Sequence, residues 1–333
     1  MGKHEGMVVF VPGTIVGELC EVKIIKVNKN ISHARLERII NSSENRIENN
    51  CTAYPACGGC TFRHMKYSAE LEFKRSKVKE ALKRIGGTDI DITVTPSPNI
   101  DRYRNKVMFP VCQTNSIGYG FFRRHSHDIV LVSDCKIQSE TANALAKRVC
   151  DFLNRHNISI YNDDTKKGLV REIYIRSGET VQLCLVINGE HLPHCGALIE
   201  EVKDVAGSIV LNVNKTAGNT LLGDKFINVY GNDYITDTLC GLNFFLSPAS
   251  FYQVNKLQAE NLYKKAIEFA EIDKTKTVYE LFCGIGTISL IMAKKAKYVT
   301  GVEISPSAVA DAEENARFNG IENVSFQCQD ASS

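Results

Sequence analysis

With 333 residues, 44% of them apolar, the chain has material for two or three folded domains with ordinary cores. Its net charge of +2 neither demands nor excludes a nucleic acid. No apolar run reaches membrane-spanning length, and Met1-Gly-Lys-His-Glu5 lacks a signal-peptide core, so a membrane protein and an exported one are both disfavoured. Twelve cysteines without an export signal point to a reducing, cytoplasmic setting, where clustered thiols more often bind metal than pair as disulfides.

The chain opens all-β. Met7-Val-Val-Phe-Val11 reads as a strand, Pro12-Gly13 as a turn, Glu21 to Val27 as a second strand and His33 to Ile40 as a third. Short strands with tight turns in so small a span suggest an oligonucleotide-binding type of barrel. Residues 1–90 hold 15 Lys and Arg against 10 Asp and Glu, a modest basic surface that suits a phosphate-backbone partner as well as it suits solvated faces. Asn41 to Asn50 is a polar linker. After a cysteine-rich loop, residues 65–85 read as a helix with Leu71, Val78, Ala81, Leu82 and Ile85 on one face and Gly86-Gly87 as its stop. Strand-like and helical stretches alternate from about 100 to 250, and a helix from about Lys256 to Ala270 follows.

Cys51, Cys57 and Cys60 put three thiols within ten residues, with Gly58 and Gly59 allowing the loop to curl around a ligand. Zinc ribbons usually bring a second C-x2-C pair, and this chain has none. Three thiols plus a distant fourth suit an iron–sulfur cluster better than zinc, which the spacing leaves open. Cys135, in the polar turn Ser133-Asp-Cys-Lys136, is the best fourth donor; Cys112, Cys150 and Cys184 lie in apolar runs and read as core.

Val278 to Leu290 reads as a buried strand, a glycine turn and a helix. Such a turn sets free backbone N–H groups against a bound nucleotide. The dinucleotide pattern G-x-G-x-x-G fails, because after Gly284 and Gly286 its third glycine is Ser289. Phe282 is too bulky for a backbone approaching pyrophosphate, which leaves S-adenosylmethionine, a ligand without phosphate. The strand Tyr298 to Glu303 ends in an acid seventeen positions after Gly286, where an α/β nucleotide site places its ribose acceptor. A third strand, Asn323 to Cys328, leads to Asp330.

Taken together, Cys51 to Tyr67, Tyr103 to Val107, Phe122 to Cys135, Ser247 to Asn255 and Glu280 to Thr287 resemble the iron–sulfur uracil-5 RNA methyltransferases that act on 23S ribosomal RNA. The resemblance runs along essentially the whole chain. It implies a multidomain α+β and α/β fold: a TRAM β-barrel over 1–48, a central iron–sulfur domain over 49–250, and part of a class I (Rossmann-like) methyltransferase domain over 251–333. It assigns a [4Fe–4S] cluster to Cys51, Cys57, Cys60 and Cys135. It places S-adenosylmethionine contacts at Gln253, Phe282, Glu303 and Asp330, with Thr287 a weaker match, and it packs the helix after the cysteine loop on the methyltransferase domain.

Two departures carry expectations. The TRAM barrel normally begins one strand earlier. The family's proline-loop aspartate, its nucleophilic cysteine and its glutamate base find no match before Ser333, so the chain is expected to be C-terminally truncated, to contain no catalytic residue and to be inactive alone. Uracil C5 becomes nucleophilic only after a thiolate adds to C6, and Cys283 and Cys328 read as small residues filling tight space. The alternatives are a tRNA uracil-5 methyltransferase and a non-catalytic RNA-binding iron–sulfur module. RNA is the expected partner, with no membrane and no obligate protein partner.

Overall fold

The computed structural model describes residues 1–218 and 220–331. Residues 332–333, the end of the third expected segment, lie outside the described residues. The chain divides into two compact units, Met1–Pro96 with Phe121–Val130, and Ser97–Gly120 with Leu131–Ser333. This division places the cysteine loop in the first unit and most of the central strands with the methyltransferase segment.

In the first unit, β1 (Gly2–His4), β2 (Met7–Phe10), β3 (Leu19–Val27) and β4 (Ile31–Asn41) form a sheet in the order β1-β2-β4-β3. The expected strands are present, and β1 adds one that the sequence did not disclose, hairpinned onto β2 through Glu5 and Gly6. Three register shifts bend β3 against β4. Val9, Ile15 and Ala34 make a very small core, and Ile24, Ile25 and Val27 stay exposed. The supposed linker is tied down: Arg46 donates to both Glu18 carboxylate oxygens, at 2.5 and 2.8 Å, and to the Gly13 carbonyl at 2.7 Å.

The helix α1 (Tyr67–Arg84) corrects the reading of its apolar face, since none of its residues is buried. Val78 is 48% exposed and Ile85 88%. Instead, ion pairs line it: Lys74 with Glu70, and Arg75 with Glu72 and Asp91. The stop is as expected, with the Thr88 N–H closing on the Leu82 carbonyl at 3.1 Å.

Most of a second sheet belongs to the second unit; its members are β5 (Lys106–Gln113), β6 (Ile117–Phe122), β7 (Ile129–Leu131), β8 (Val170–Ser177), β9 (Val181–Ile187), β10 (Ala206–Val213) and β11 (Lys225–Gly231), in the order β11-β10-β9-β8-β5-β6-β7, with Phe121, Phe122, Ile129 and Val130 counted in the first unit. The helices α2 (Glu140–Arg155) and α3 (Cys195–Val202) belong to it, and α3 supplies the crossover that lets β9 and β10 run parallel. The near-continuous burial of β9, from Gln182 to Ile187, marks the middle of the sheet. A hairpin, β12 (Ile235–Leu239) and β13 (Leu242–Leu246), leads to α4 (Lys256–Phe269).

The chain then runs β14 (Thr277–Leu281), α5 (Thr287–Ala293), β15 (Tyr298–Glu303), α6 (Pro306–Phe318) and β16 (Val324–Cys328). These strands form a parallel sheet in the order β14-β15-β16. Among the described residues β14 is an edge, and Tyr279 and Leu281 on it are 69% and 53% exposed. Phe244, Leu246, Tyr263, Leu290 and Val299 share one apolar core, so the hairpin, α4 and the parallel sheet pack together. Among the described residues no helix is long and apolar enough to cross a membrane.

Candidate active site

The parallel pairing of β14 with β15 carries the chain up to Leu281, opposite Val302, and there the strand breaks. Phe282, Gly284 and Gly286 all take positive φ, at 61°, 54° and 77°. A Cβ on Gly286 would stand 2.8 Å from the Phe326 ring and 3.1 Å from Ala312, so only glycine fits beneath α5. At Gly284 the corresponding position meets nothing within 4 Å, which leaves that side open for a ligand. The turn is rigidly held. Cys283 N–H bonds the Val302 carbonyl at 3.0 Å and Gly286 N–H the Cys283 carbonyl at 2.9 Å. Asn315, fully buried on α6, donates to the Ile285 carbonyl at 3.1 Å and accepts the Phe245 N–H at 2.6 Å.

Glu303 closes the other side. Its Oε2 accepts the Gly284 N–H and its Oε1 the Ser305 N–H, both at 3.0 Å. Its carbonyl accepts the Gln329 N–H at 3.0 Å, which ties the end of β16, and the exposed Asp330 after it, to the same rim. The turn, Glu303 and the segment before Asp330 therefore meet at the carboxyl ends of three parallel strands, where open α/β sheets bind ligands. Phe282 is 76% exposed, a free aromatic face beside the turn.

Gln253 and Thr287 are brought together by a residue that sequence reasoning missed. Burial pushes the Tyr263 phenol above its usual range, and the neighbouring Thr287 and Gln253 side chains oppose that rise. In the sequence Tyr263 shares the i, i+4 spacing of Ala259 and Ile267 and reads as plain core, which it also is. The Gln253 carbonyl is fixed from the other side by Asn105 Nδ2 at 3.1 Å.

Two further groups sit under the turn. Burial pushes the Glu280 carboxyl up to about 7, while the Ser289 hydroxyl, donating to it, works the other way. Cys283 is 4% exposed, and burial pushes its thiol up to about 12. Its sulfur lies 2.8 Å from where a Cβ on Gly301 would stand, which makes it the packing residue the sequence suggested. Cys328 is exposed, its sulfur 3.6 Å from the Ile304 carbonyl.

The cysteine loop lies in the first unit. Cys51, Cys57 and Cys60 are all half-buried, and Cys57 Sγ accepts the Gly59 N–H at 3.3 Å. Cys135 lies in the second unit, buried, with its backbone clamped: its N–H donates to Asn143 Oδ1 at 2.9 Å and its carbonyl accepts from Arg102 at 2.9 Å. Cys150 and Cys184 are core residues, with burial pushing both thiols up to about 12. Among the described residues no group of three or more His, Cys, Asp or Glu side chains is gathered closely enough to hold a metal ion. The donor set is all sulfur, on a loop whose backbone already donates to one of the thiols, and this chemistry fits an iron–sulfur ligand set.

A cavity of about 760 Å³ is lined by Asp224, Asp233, Asp311 and Glu314 with Tyr234 and Phe245. Phe282, Gly284, Gly286 and Glu303 take no part in it, and its acidic rim disfavours phosphate.

Comparison with known proteins gives the same picture. Residues 1–36 match the TRAM domain and residues 272–333 a methyltransferase domain. A Clostridium tetani protein described as an uncharacterized RNA methyltransferase is 41% identical over 334 residues, covering 98% of this chain and 73% of its own length. A Listeria monocytogenes relative with the same description is 40% identical, at 98% and 74% coverage. The crystal structure of Pyrococcus abyssi tRNA (uracil-54, C5)-methyltransferase with S-adenosyl-L-homocysteine superposes with a TM-score of 0.78 at 27% identity, covering 96% of this chain and 74% of that one. The fold and the glycine turn define a methyltransferase with a TRAM domain. The chain belongs to the RNA methyltransferase family.

Proposed function

We propose that this RNA methyltransferase acts on carbon 5 of uracil, with 23S ribosomal RNA as its substrate and S-adenosylmethionine as its methyl donor. The observation that carries the cofactor reading is the Glu303 carboxylate set against the Gly284 N–H. We assign the cofactor to Gln253, Phe282, Gly284, Gly286, Thr287, Glu303 and Asp330. Glu303 would accept the ribose hydroxyls, Phe282 would offer its exposed ring to the adenine, and the open side of Gly284 would admit the ligand.

The reaction itself is supported by the Pyrococcus abyssi enzyme, whose described substrate is uracil C5 in tRNA. That likeness makes tRNA the second reading. The ribosomal reading rests on the cysteine pattern. Cys51, Cys57 and Cys60, with Cys135, are proposed as thiolate ligands of a [4Fe–4S] cluster, which would supply a structural clamp. Its support comes from each part separately: the N–H to sulfur bond of the loop and the clamped backbone of Cys135.

Chemistry at uracil C5 needs a thiolate at C6. Cys283 is buried and held protonated up to about pH 12, and Cys328 stands outside the turn. Neither is proposed as that nucleophile, and residues 1–333 alone are expected to bind cofactor and RNA without forming 5-methyluridine. The reading is tested by nucleoside mass spectrometry of 23S rRNA and tRNA from cells lacking the gene. Loss of 5-methyluridine from 23S rRNA supports it, loss from tRNA alone selects the second reading, and no loss from either refutes both.

A further inference from the structure

Three cations gather around the start of β5, and the proposed reaction uses none of them: Arg104 just before the strand, Lys106 on it and Arg176 on β8. Lys106 pairs directly across from Arg176 on β8, and Met108 from Tyr174. Residues opposite each other share a face, and the charge of Arg104, just before the strand, also reaches Lys106. Like charges directly opposite on a sheet destabilise it unless something lies between them.

Among the described residues no ion pair places a carboxylate between them. Arg176 is 1% exposed, and its guanidinium donates to neutral acceptors: the Ser247 carbonyl at 2.8 Å, Ser250 Oγ at 3.0 Å and the Ser250 carbonyl at 2.6 Å. Its Nε is buried without a partner, and so is the Nε of Arg104. Asp311 feels Arg176, but its own oxygen is taken by the Ser247 hydroxyl at 2.9 Å. Lys106 is half-buried and makes no hydrogen bond or ion pair among the described residues; its ammonium lies 5.9 Å from the Tyr174 ring centroid. Burial pushes Lys106 down to about 8, and Arg176 and Arg104 push it the same way. Buried cations without a counter-charge are costly, and an incoming oxyanion would relieve all three.

The position of the cluster says which oxyanion. The Asn105 N–H donates to the Val254 carbonyl at 2.9 Å, Asn105 Nδ2 to the Gln253 carbonyl at 3.1 Å, and Arg104 bridges to Asn255. Arg104 and Lys106 thus flank Asn105, the residue that holds the Gln253 carbonyl. We propose that Lys106, with Arg104 and the buried Arg176 adding their charge behind it, forms a site for one backbone phosphate of the RNA beside the cofactor. This rests on the RNA substrate reading above. Arg176 anchors the segment through Ser247 and Ser250, and Lys106 is the mobile, point-charge donor.

The test is the salt dependence of binding by the full chain to transcribed 23S rRNA, for the unaltered protein, Lys106→Met and Lys106→Arg. Lys106→Met is expected to weaken binding several-fold and to flatten the slope of log K against log salt by about 0.7, the value for one single-strand phosphate contact. Lys106→Arg should keep most of the slope. Lys106→Met should also melt at or above the temperature of the unaltered chain, because a repulsion is removed, and should bind S-adenosylmethionine unchanged. An unchanged slope overturns the proposal. Cofactor binding that weakens in step with RNA binding also overturns it, by assigning the site to the cofactor carboxylate. If inorganic phosphate raises the melting temperature through Lys106 while the RNA slope stays fixed, the site takes free phosphate and the RNA assignment fails. Absence of RNA binding by the unaltered chain overturns both this proposal and the reading it rests on, whereas RNA binding with an unchanged slope overturns this proposal alone.

Discussion

Glu303 accepts the N–H of Gly284, nineteen residues earlier in the chain, at 3.0 Å. One carboxylate oxygen therefore fixes the turn after β14 while the other fixes the entry to α6 through Ser305. The acid is placed by the same bonds that shape the turn, so its position does not depend on a ligand being present. Preorganisation of this kind lowers the ordering cost of binding.

Glu280 makes the site pH-sensitive from beneath. Its carboxyl is raised from 4.5 to about 7, so the folded state binds its proton more tightly than the unfolded state does. The cost of ionising it is absent below the unfolded value, grows as pH rises between the two values, and is complete above about 7. Glu280→Gln, which keeps an acceptor for Ser289, should stabilise the protein at about pH 8 by up to ~3 kcal/mol, with the difference vanishing near pH 4.5. Denaturant melts of both proteins across that range measure it, and equal stability at every pH would refute the assignment.

Glu18 and Arg46 titrate the other way. Burial raises the Glu18 carboxyl, but the Arg46 side chain and the backbone N–H groups of Ile15 and Ser43 outweigh it and leave it lowered. The stability this contributes is full above the unfolded carboxylate value and is lost as pH falls through the folded one. The Glu18 side chain is fully buried, so Arg46→Met, which strands its charge, should destabilise the first unit on the order of 3 kcal/mol. The double variant with Glu18→Gln should recover part of that loss; a double variant worse than the single would mean the pair contributes packing only.

Much of the candidate site's geometry was legible in the sequence, and the limits have physical causes. The glycine turn, Glu303 and the strands around them follow from local pattern, because spacing along βαβ units fixes which residues reach the strand ends. Tyr263 and Asn315 were not legible, since each acts through a partner more than twenty residues away that no periodicity connects. The face of α1 failed for a different reason. Leu71, Val78 and Ile85 have helical spacing, but the ion pairs of Lys74 and Arg75 hold the helix without any of its residues being buried. The strand β1 was missed because Gly2–His4 carries no apolar alternation and is held by its backbone pairing to β2.

The exposed edge of β14 is a template for pairing. Tyr279 and Leu281 lie along it with no strand beyond them among the described residues. Residues 1–333 are expected to self-associate at high concentration, and Tyr279→Lys should reduce that association in sedimentation velocity. Equal association by both would exclude this edge.

The iron–sulfur proposal assigns the thiols different roles. Anaerobically purified protein should be brown with broad visible absorption. Cys135→Ser should lose it, whereas Cys184→Ser, which alters a fully buried packing residue, should keep it. Colourless protein carrying stoichiometric zinc would contradict the iron–sulfur proposal.

Calorimetric titration of residues 1–333 with S-adenosylmethionine tests the cofactor site most directly, with Glu303→Ala and a nicotinamide dinucleotide as controls. Saturable binding by the unaltered chain is expected, weakened tenfold or more, about 1.4 kcal/mol, by Glu303→Ala, with no binding of the dinucleotide. No binding of S-adenosylmethionine, or equal binding by Glu303→Ala, would contradict the assignment of the turn as its site.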